Sequence, residues 1–315
     1  KAIEEAVQRI DERLAANPDD KKLKKAKKLI EKDYLPRMKK YEKEEELLAE
    51  RNSYSKTDTD ATFMRMKEDH MQNGQLKPGY NVQIGTENQF VVGYSIHQSA
   101  GDTSCMKDHL EALKKELGGK LPANIVADAG YGSEENYEYL EKESLGNYVK
   151  YNTFHKEATS KWKSDVTRVQ NWPYNEEADE YICGNGKTLR FKYEKTQKSK
   201  NGYSSLIRVY ESDNCIGCPY RERCIKKTEN PDSNKQIYIN RRGNELKAQA
   251  RSNLTSEYGL QMRSLRPIEV ESVFGDIKGN FGIRRFVLKG LDKVKLEWGL
   301  HCIAHNMRKI VTETV

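Results

Sequence analysis

The first half of the chain reads strand, strand, helix, strand, and that order predicts an α/β protein. Three observations carry the prediction. The runs "GYNVQIGT" and "NQFVVGYSIHQ" are apolar, β-branched and aromatic, and Gly, Thr, Glu and Asn bound them. A helical pattern over about 103–117 follows, ending at Gly118-Gly119, with Asp102 and Thr103 placed to cap it. The apolar run "IVA" in "ANIVADAGY" then delivers Asp128 into a Gly-Tyr-Gly turn. A carboxylate fixed at a strand tip is rigid and open to ligands. A structural turn-former is the plainer reading of the same residue.

The flanking regions differ from this core. Ile3, Val7, Ile10 and Leu14 recur at helical spacing, "ANPDD" interrupts, and Leu23, Ala26, Leu29 and Ile30 resume. Two helices in a hairpin or coiled pair are expected over 1–52. Lys21, Lys22, Lys24, Lys25, Lys27 and Lys28 form a solvated face or a phosphate-contacting one. The segment 51–70 begins as a loop and continues as short, mixed structure. Residues 156–250 are polar, rich in Lys and Tyr, and hold four of the six cysteines, which predicts an insertion. After 251 helical rhythm returns. Pro267 is expected near a helix start, and Leu296, Leu300, Ile303, Met307 and Ile310 mark the apolar stripe of a final amphipathic helix. The expected divisions are 1–52, 53–155, 156–250 and 251–315.

Composition narrows the function classes. The chain has 315 residues, 33% of them charged, and a net charge of +7, a weak lean toward a polyanionic partner. No run of about 18 apolar residues suggests a membrane span, and no signal-peptide pattern is visible. Six cysteines in a Lys-rich chain predict a reducing, cytoplasmic compartment. The opening residues already lie inside a helical pattern, so residues upstream are expected.

Chemistry concentrates in "EVESVFGDIK". At about 100° per residue, Val270, Val273 and Ile277 form an apolar stripe, while Glu271, Gly275 and Lys278 share the neighbouring face. Glu269 points nearly the opposite way. A carboxylate and a lysine flanking a glycine opening could hold a divalent metal and a phosphate; an ordinary surface pair is the alternative. Cys215-x2-Cys218-x5-Cys224, with Cys183 upstream, contains a zinc-knuckle element, with free thiols as the alternative. Cys105, Cys302 and Trp298 are expected in the core. Glu297, His301 and His305 fall at i, i+4 and i+8 and could gather a metal, although packed histidines are commoner. Asn306 and Arg308 are expected to steady the helix end or touch DNA. Trp162, Trp172, Tyr174 and Tyr181 could stack on bases or simply pack.

Here the residues carry a resemblance. "VADAGYGSEEN" and "VESVFGDIKGNFGIRRFVLKGLDKVKLEWGLHCIAHNMRK", together with "SKTDTDATFMRMK…LKPGYNVQ" and the Cys-bearing insert, resemble bacterial insertion-sequence transposases of the DDE type over about 53–315. The resemblance implies an RNase H-like mixed sheet with flanking helices, a Cys-rich inserted subdomain and an N-terminal helical segment. It matches Asp128 to the second catalytic acid, Glu271 to the third, and Lys278 to the lysine that follows. In many relatives Arg and Tyr precede the Glu; here Pro267 takes the Arg place, with Arg266 beside it and Tyr258 further back. The first acid is expected upstream, with Asp58 and Asp60 as stand-ins. Also implied are Mg²⁺ or Mn²⁺ on Asp128 and Glu271 and DNA contacts by Lys278, Arg284 and Arg285. The expected partners are element ends and target DNA, with homodimerisation on DNA in a bacterial, nucleoid-associated setting. Structural Zn²⁺ on Cys183, Cys215, Cys218 and Cys224 completes the expected cofactors. An RNase H-like nuclease without transposition and a non-catalytic zinc-containing DNA-binding remnant are the competing readings.

Overall fold

The computed structural model describes residues 2–66, 73–225, 230 and 232–313. The end of the predicted 51–70 segment, and the lysines at 226 and 227, lie outside them. The architecture is mixed α/β. It divides into two compact units, one of Lys1–Tyr80, Gln98–Ala100 and Val287–Val294, the other of Asn81–His97, Gly101–Phe286 and Lys295–Val315.

In the first unit, α1 (Ala2–Ala16) and α2 (Lys21–Leu29) form the expected hairpin. Asp20 caps α2 by accepting from the Lys22 and Leu23 amides at 2.8 and 3.1 Å. Lys27 reaches back to Asp11 at 2.5 Å; the other lysines of this row are exposed. A π-turn, Ile30–Tyr34, carries the helix into α3 (Leu35–Leu48). An unexpected antiparallel hairpin follows, β1 (Thr62–Arg65) with β2 (Leu76–Gly79). Asp58 and Asp60 are occupied within this unit. Asp58 accepts from the Tyr80 hydroxyl at 2.9 Å and from the Gly290 amide at 3.2 Å. Asp60 accepts from the Leu291 amide at 2.8 Å. Both carboxylates therefore cap the start of the last helix, where unpaired N–H groups attract anions.

The second unit opens with β3 (Asn81–Glu87) and β4 (Phe90–His97), an antiparallel hairpin. Its two-residue turn holds Asn88 and Gln89 at φ 51° and 64°, the left-handed pair a primed turn requires. Next, α4 (Met106–Glu116) lies so close over the hairpin that a Cβ on Gly93 would meet the Leu113 side chain at 2.4 Å. Then β5 (Asn124–Ala127), α5 (Glu134–Lys142) and β6 (Gly146–Val149) form a crossover with β5 and β6 parallel. Among the described residues, β3–β4 and β5–β6 are separate hydrogen-bonded pairs rather than one mixed sheet.

After a short helix, α6 (Ser160–Lys163), come β7 (Tyr174–Asn175), β8 (Glu180–Ile182), β9 (Thr188–Lys198), β10 (Ser204–Ser212), the single turn α7 (Arg221–Cys224) and β11 (Gln236–Ile239). They make a five-stranded sheet in the order β11-β10-β9-β8-β7. Trp172, Leu189, Tyr210, Ile237 and Ile239 form its core, with Tyr174 and Tyr181 against them. Trp162 is also buried. Trp162, Trp172, Tyr174 and Tyr181 thus pack rather than present faces to bases. The main core joins Tyr137 and Leu140 of α5, Val149 of β6, and Leu246, Ala250 and Leu254 of α8 (Arg241–Thr255).

Pro267 takes the first position of a helical segment, as expected, but that segment continues an existing helix. Between α9 (Glu257–Arg266) and α10 (Ser272–Gly275) the chain keeps winding through a π-turn, Pro267–Glu271. A proline has no N–H to give the preceding turn, and the wider π geometry absorbs the mismatch. The stripe expected on the last helix, α11 (Leu291–Glu313), is on the wrong side. Leu296, Leu300, Ile303, Met307 and Ile310 are exposed, while Trp298, Cys302 and His305 are buried. Both faces of α11 contain apolar residues, so periodicity alone could not tell which one packs inward. Cys105, Cys302 and Trp298 are buried as expected.

Candidate functional site

Because β5 and β6 are parallel, their C-terminal tips lie together. Asp128 follows one tip and Lys150 the other, and the Lys150 amide donates to Ala127 O at 3.3 Å. The turn after Asp128 passes hard against β6. A Cβ on Gly132 would stand 2.4 Å from Lys150 O and 2.8 Å from Tyr151 Cα, so this position has no space for a side chain. Asn136 pins the turn further by donating to Tyr131 O at 2.7 Å and Thr103 O at 2.9 Å.

Arg266, at the end of α9, reaches this tip. One arm of its guanidinium binds Asp128 Oδ2, and the other binds Glu271 Oε1 at 3.0 Å. The Arg266 side chain is only 13% exposed, whereas Asp128 and Glu271 are 46% and 62% exposed. The cation is therefore set deep, with the two carboxylates above it toward solvent. Glu269 points elsewhere and accepts from the Gln89 amide at 2.7 Å. Of the two glutamates, Glu271 is the one that meets Asp128 across a common cation.

Lys150 adds a second positive group. Its ammonium pKa is lowered, first by burial and then by the neighbouring Arg266 charge, against the opposing pull of Asp128. Tyr131 borders the same turn and donates to Gln83 Oε1. Burial, with Asp102 next, pushes its phenol well above the usual range, so it remains a neutral donor. Asp102 does not cap α4 as expected. Its carboxylate accepts from Asn81 Nδ2 at 2.9 Å and Gln83 Nε2 at 3.2 Å, because side-chain amides from β3 reach it. The sequence reading missed Lys150 and gave Arg266 no role at the site; a basic residue after the second parallel strand was the available signal.

Lys278 and Gly275 are exposed, and a Cβ on Gly275 would meet nothing within 4 Å. The Lys278 ammonium lies 5.0 Å from the Phe274 ring centre. Arg284 and Arg285 are exposed in the irregular stretch before α11.

The four cysteines of 183–224 line one small cavity of about 30 Å³ with Trp172, Leu189 and Ile225. Backbone amides of Lys187 and Lys235 donate to the sulfurs of Cys183 and Cys215 at 3.4 Å. Asn185 Nδ2 donates to Cys218 at 3.5 Å. Burial, foremost, raises the Cys224 thiol, and the three other thiols add to it. Among the described residues, no three His, Cys, Asp or Glu side chains are drawn close enough to hold a metal as they stand.

That statement also covers the Glu297–His301–His305 row. His305 is buried and faces the Asp276 carboxylate through Nδ1 at 2.7 Å and Gln89 O through Nε2 at 2.9 Å. Arg308 joins Asp276 at 2.8 Å, and Asn306 holds Val91 N and O at 2.9 Å. His305 and Asn306 thus tie α11 to the β3–β4 hairpin, and Asp276 ties it to the helical turn Asp276–Asn280. A further pair went unnoticed in the sequence. Ser95 Oγ lies between His97 Nε2 at 2.6 Å and His109 Nδ1 at 2.8 Å. Burial, with His97 beside it, lowers His109 to about 4, so it is neutral near pH 7.

Residues 182–311 match the family model described as a transposase DDE domain. The matched segment is less than half of the chain. It contains Arg266, Glu271 and Lys278 but not Asp128. No curated protein and no solved structure matches significantly. Among the described residues, no helix is long and apolar enough to cross a membrane.

Proposed function

We propose that the chain is a catalytic portion of a DDE-type DNA transposase, with Asp128 and Glu271 as two of its metal-binding acids. The observation that carries the reading is their meeting on one guanidinium, although they come from opposite sides of the β7–β11 region. The match of residues 182–311 to a transposase DDE domain supports it. On this reading the β3–β6 elements and α8–α11 belong to an RNase H-like core, with the Cys-rich sheet as an insert.

The donor set suits a hard divalent cation: two carboxylates, solvent-facing, already converging on positive charge. Mg²⁺ or Mn²⁺ bound there would activate the attacking hydroxyl and stabilise the leaving oxygen of a phosphodiester. Asp128 and Glu271 supply its oxygens. Lys150 and Lys278 offset phosphate charge beside them, and Arg284 and Arg285 extend the basic track along DNA. Two acids make a weak metal site, so the chain by itself is expected to bind metal weakly and not to cleave. Homodimerisation on DNA ends belongs to the same proposal.

The test is Mn²⁺ titration read by electron paramagnetic resonance with DNA present. Binding lost in Asp128→Asn and in Glu271→Gln supports the site; binding unchanged in both removes it. Strand transfer of labelled DNA ends, against simple nicking, separates a transposase from a nuclease. Mg²⁺-dependent nicking by this chain alone would contradict the two-acid reading.

Zinc on Cys183, Cys215, Cys218 and Cys224 is a second part of the proposal. Four sulfurs lining one small cavity, three of them accepting N–H bonds, are the ligand type zinc prefers. The thiols would have to draw together to hold it. Zinc analysis of protein purified without chelator tests this, and about one ion per chain is expected.

A further inference from the structure

We propose that Arg266 is a built-in counter-cation of the Asp128–Glu271 pair, holding the place of positive charge until a divalent metal takes it. The inference rests on the site reading above and concerns how that site is kept assembled without metal.

Two carboxylates facing one point repel each other unless a cation lies between them. Arg266 supplies it with one arm on each acid. A guanidinium does not lose its proton and is weakly hydrated, so it can sit nearly buried while keeping its charge. The backbone is shaped for this contact. Arg266 and Glu271 are five residues apart, and on a regular helix they would point about 140° from each other. The π-turn at Pro267–Glu271, with its wider closure, brings them to the same side. Glu269, anchored to the Gln89 amide at 2.7 Å, fixes that turn from the other flank.

A metal on the same two carboxylates would meet the guanidinium charge at close range. The two cations therefore compete, and by reciprocity whatever removes one strengthens the other. Arg266 is in this sense a positioning residue: it acts on the reaction only through the two acids.

The experiment measures melting temperature without added metal or chelator and in Mn²⁺, together with the Mn²⁺ affinity, for the whole chain and its variants. Wild type should melt at nearly the same temperature in both. Arg266→Gln should melt lower without added metal, recover in Mn²⁺, and bind Mn²⁺ about tenfold tighter, within the usual range of coupled ligands. Arg266→Lys, which keeps the charge but not the fork, should fall between. If wild type binds Mn²⁺ and neither variant binds it tighter or is stabilised by it, the inference fails while the site reading stands. If Mn²⁺ binding persists in Asp128→Asn/Glu271→Gln, the site reading itself fails. A Gln variant too unstable to measure leaves the Lys variant to decide, and a Lys affinity equal to wild type overturns the inference.

Discussion

The carboxylate pair and the four-thiol cavity both gather like groups, the first from remote parts of the chain and the second from one region, yet their electrostatics are opposite. At the carboxylates the protein itself supplies Arg266 as their charged partner. At the thiols the groups are neutral when protonated, the cavity is largely apolar, and burial raises Cys224 further. The difference teaches where an outside cation does more. It would replace an existing cation at the first site but would create charge and cross-links at the second. A metal should therefore affect stability strongly at the cysteines and only modestly at the carboxylates, where its effect is on chemistry.

The largest expected effect breaks this comparison if it is absent. Chelation of zinc, or Cys218→Ser, should unfold the β7–β11 sheet, since structural zinc typically contributes about 10 kcal/mol or more of apparent folding energy. Loss of near-ultraviolet circular dichroism from Trp172 and its neighbours is the readout. If chelator changes nothing and no zinc is found, the cavity is a plain apolar pocket and the two regions do not share a principle.

Next in size is Gly132→Ala. Its new methyl group would press on the Lys150 carbonyl and Tyr151 backbone, and overpacking against main chain costs about 1–3 kcal/mol. Urea melts should show the loss, and Mn²⁺ binding should weaken because Asp128 rides on the same turn. An unaltered Mn²⁺ affinity would show that the turn does not position the acid.

The Asp276 lock sharpens the comparison through pH. Burial alone would raise its pKa, but hydrogen bonds from Asn280 and His305, with the Arg308 charge, outweigh it and hold the group below its ordinary value. A depressed carboxylate contributes stability above its unfolded pKa and loses it as pH falls through the lower folded value. Stability should therefore fall on acidification below about pH 4, and less so in Asp276→Asn, which is already weakened at pH 7. Equal acid sensitivity in both proteins would assign the effect to other carboxylates.

Smallest for stability is Lys278→Ala. The side chain is exposed, so the melting temperature should barely move. DNA affinity should drop, with the salt slope shallower by about one unit. No change in slope would take Lys278 out of the DNA contact.

Much of the local structure was legible in the chain. Alternating apolar runs marked β3, β4 and β5, and "ANPDD" marked the α1–α2 turn, because caps, turns and strand propensity act over a few residues. The β1–β2 hairpin was not legible: its strands are short, and "LKPG" contains a proline and a glycine. The last helix was recognised but turned the wrong way, since both its faces contain apolar side chains.

What the sequence by itself determined is therefore local: an α/β order of elements, a carboxylate at the tip of β5, a Glu and a Lys seven positions apart, and four cysteines within one region. Only the tertiary structure decided that Arg266 lies beneath Asp128 and Glu271 and that Lys150 stands alongside. Those choices depend on the parallel pairing of β5 with β6 and on a π-turn at Pro267–Glu271. Both arise from packing between segments far apart in the chain, which no short-range pattern encodes.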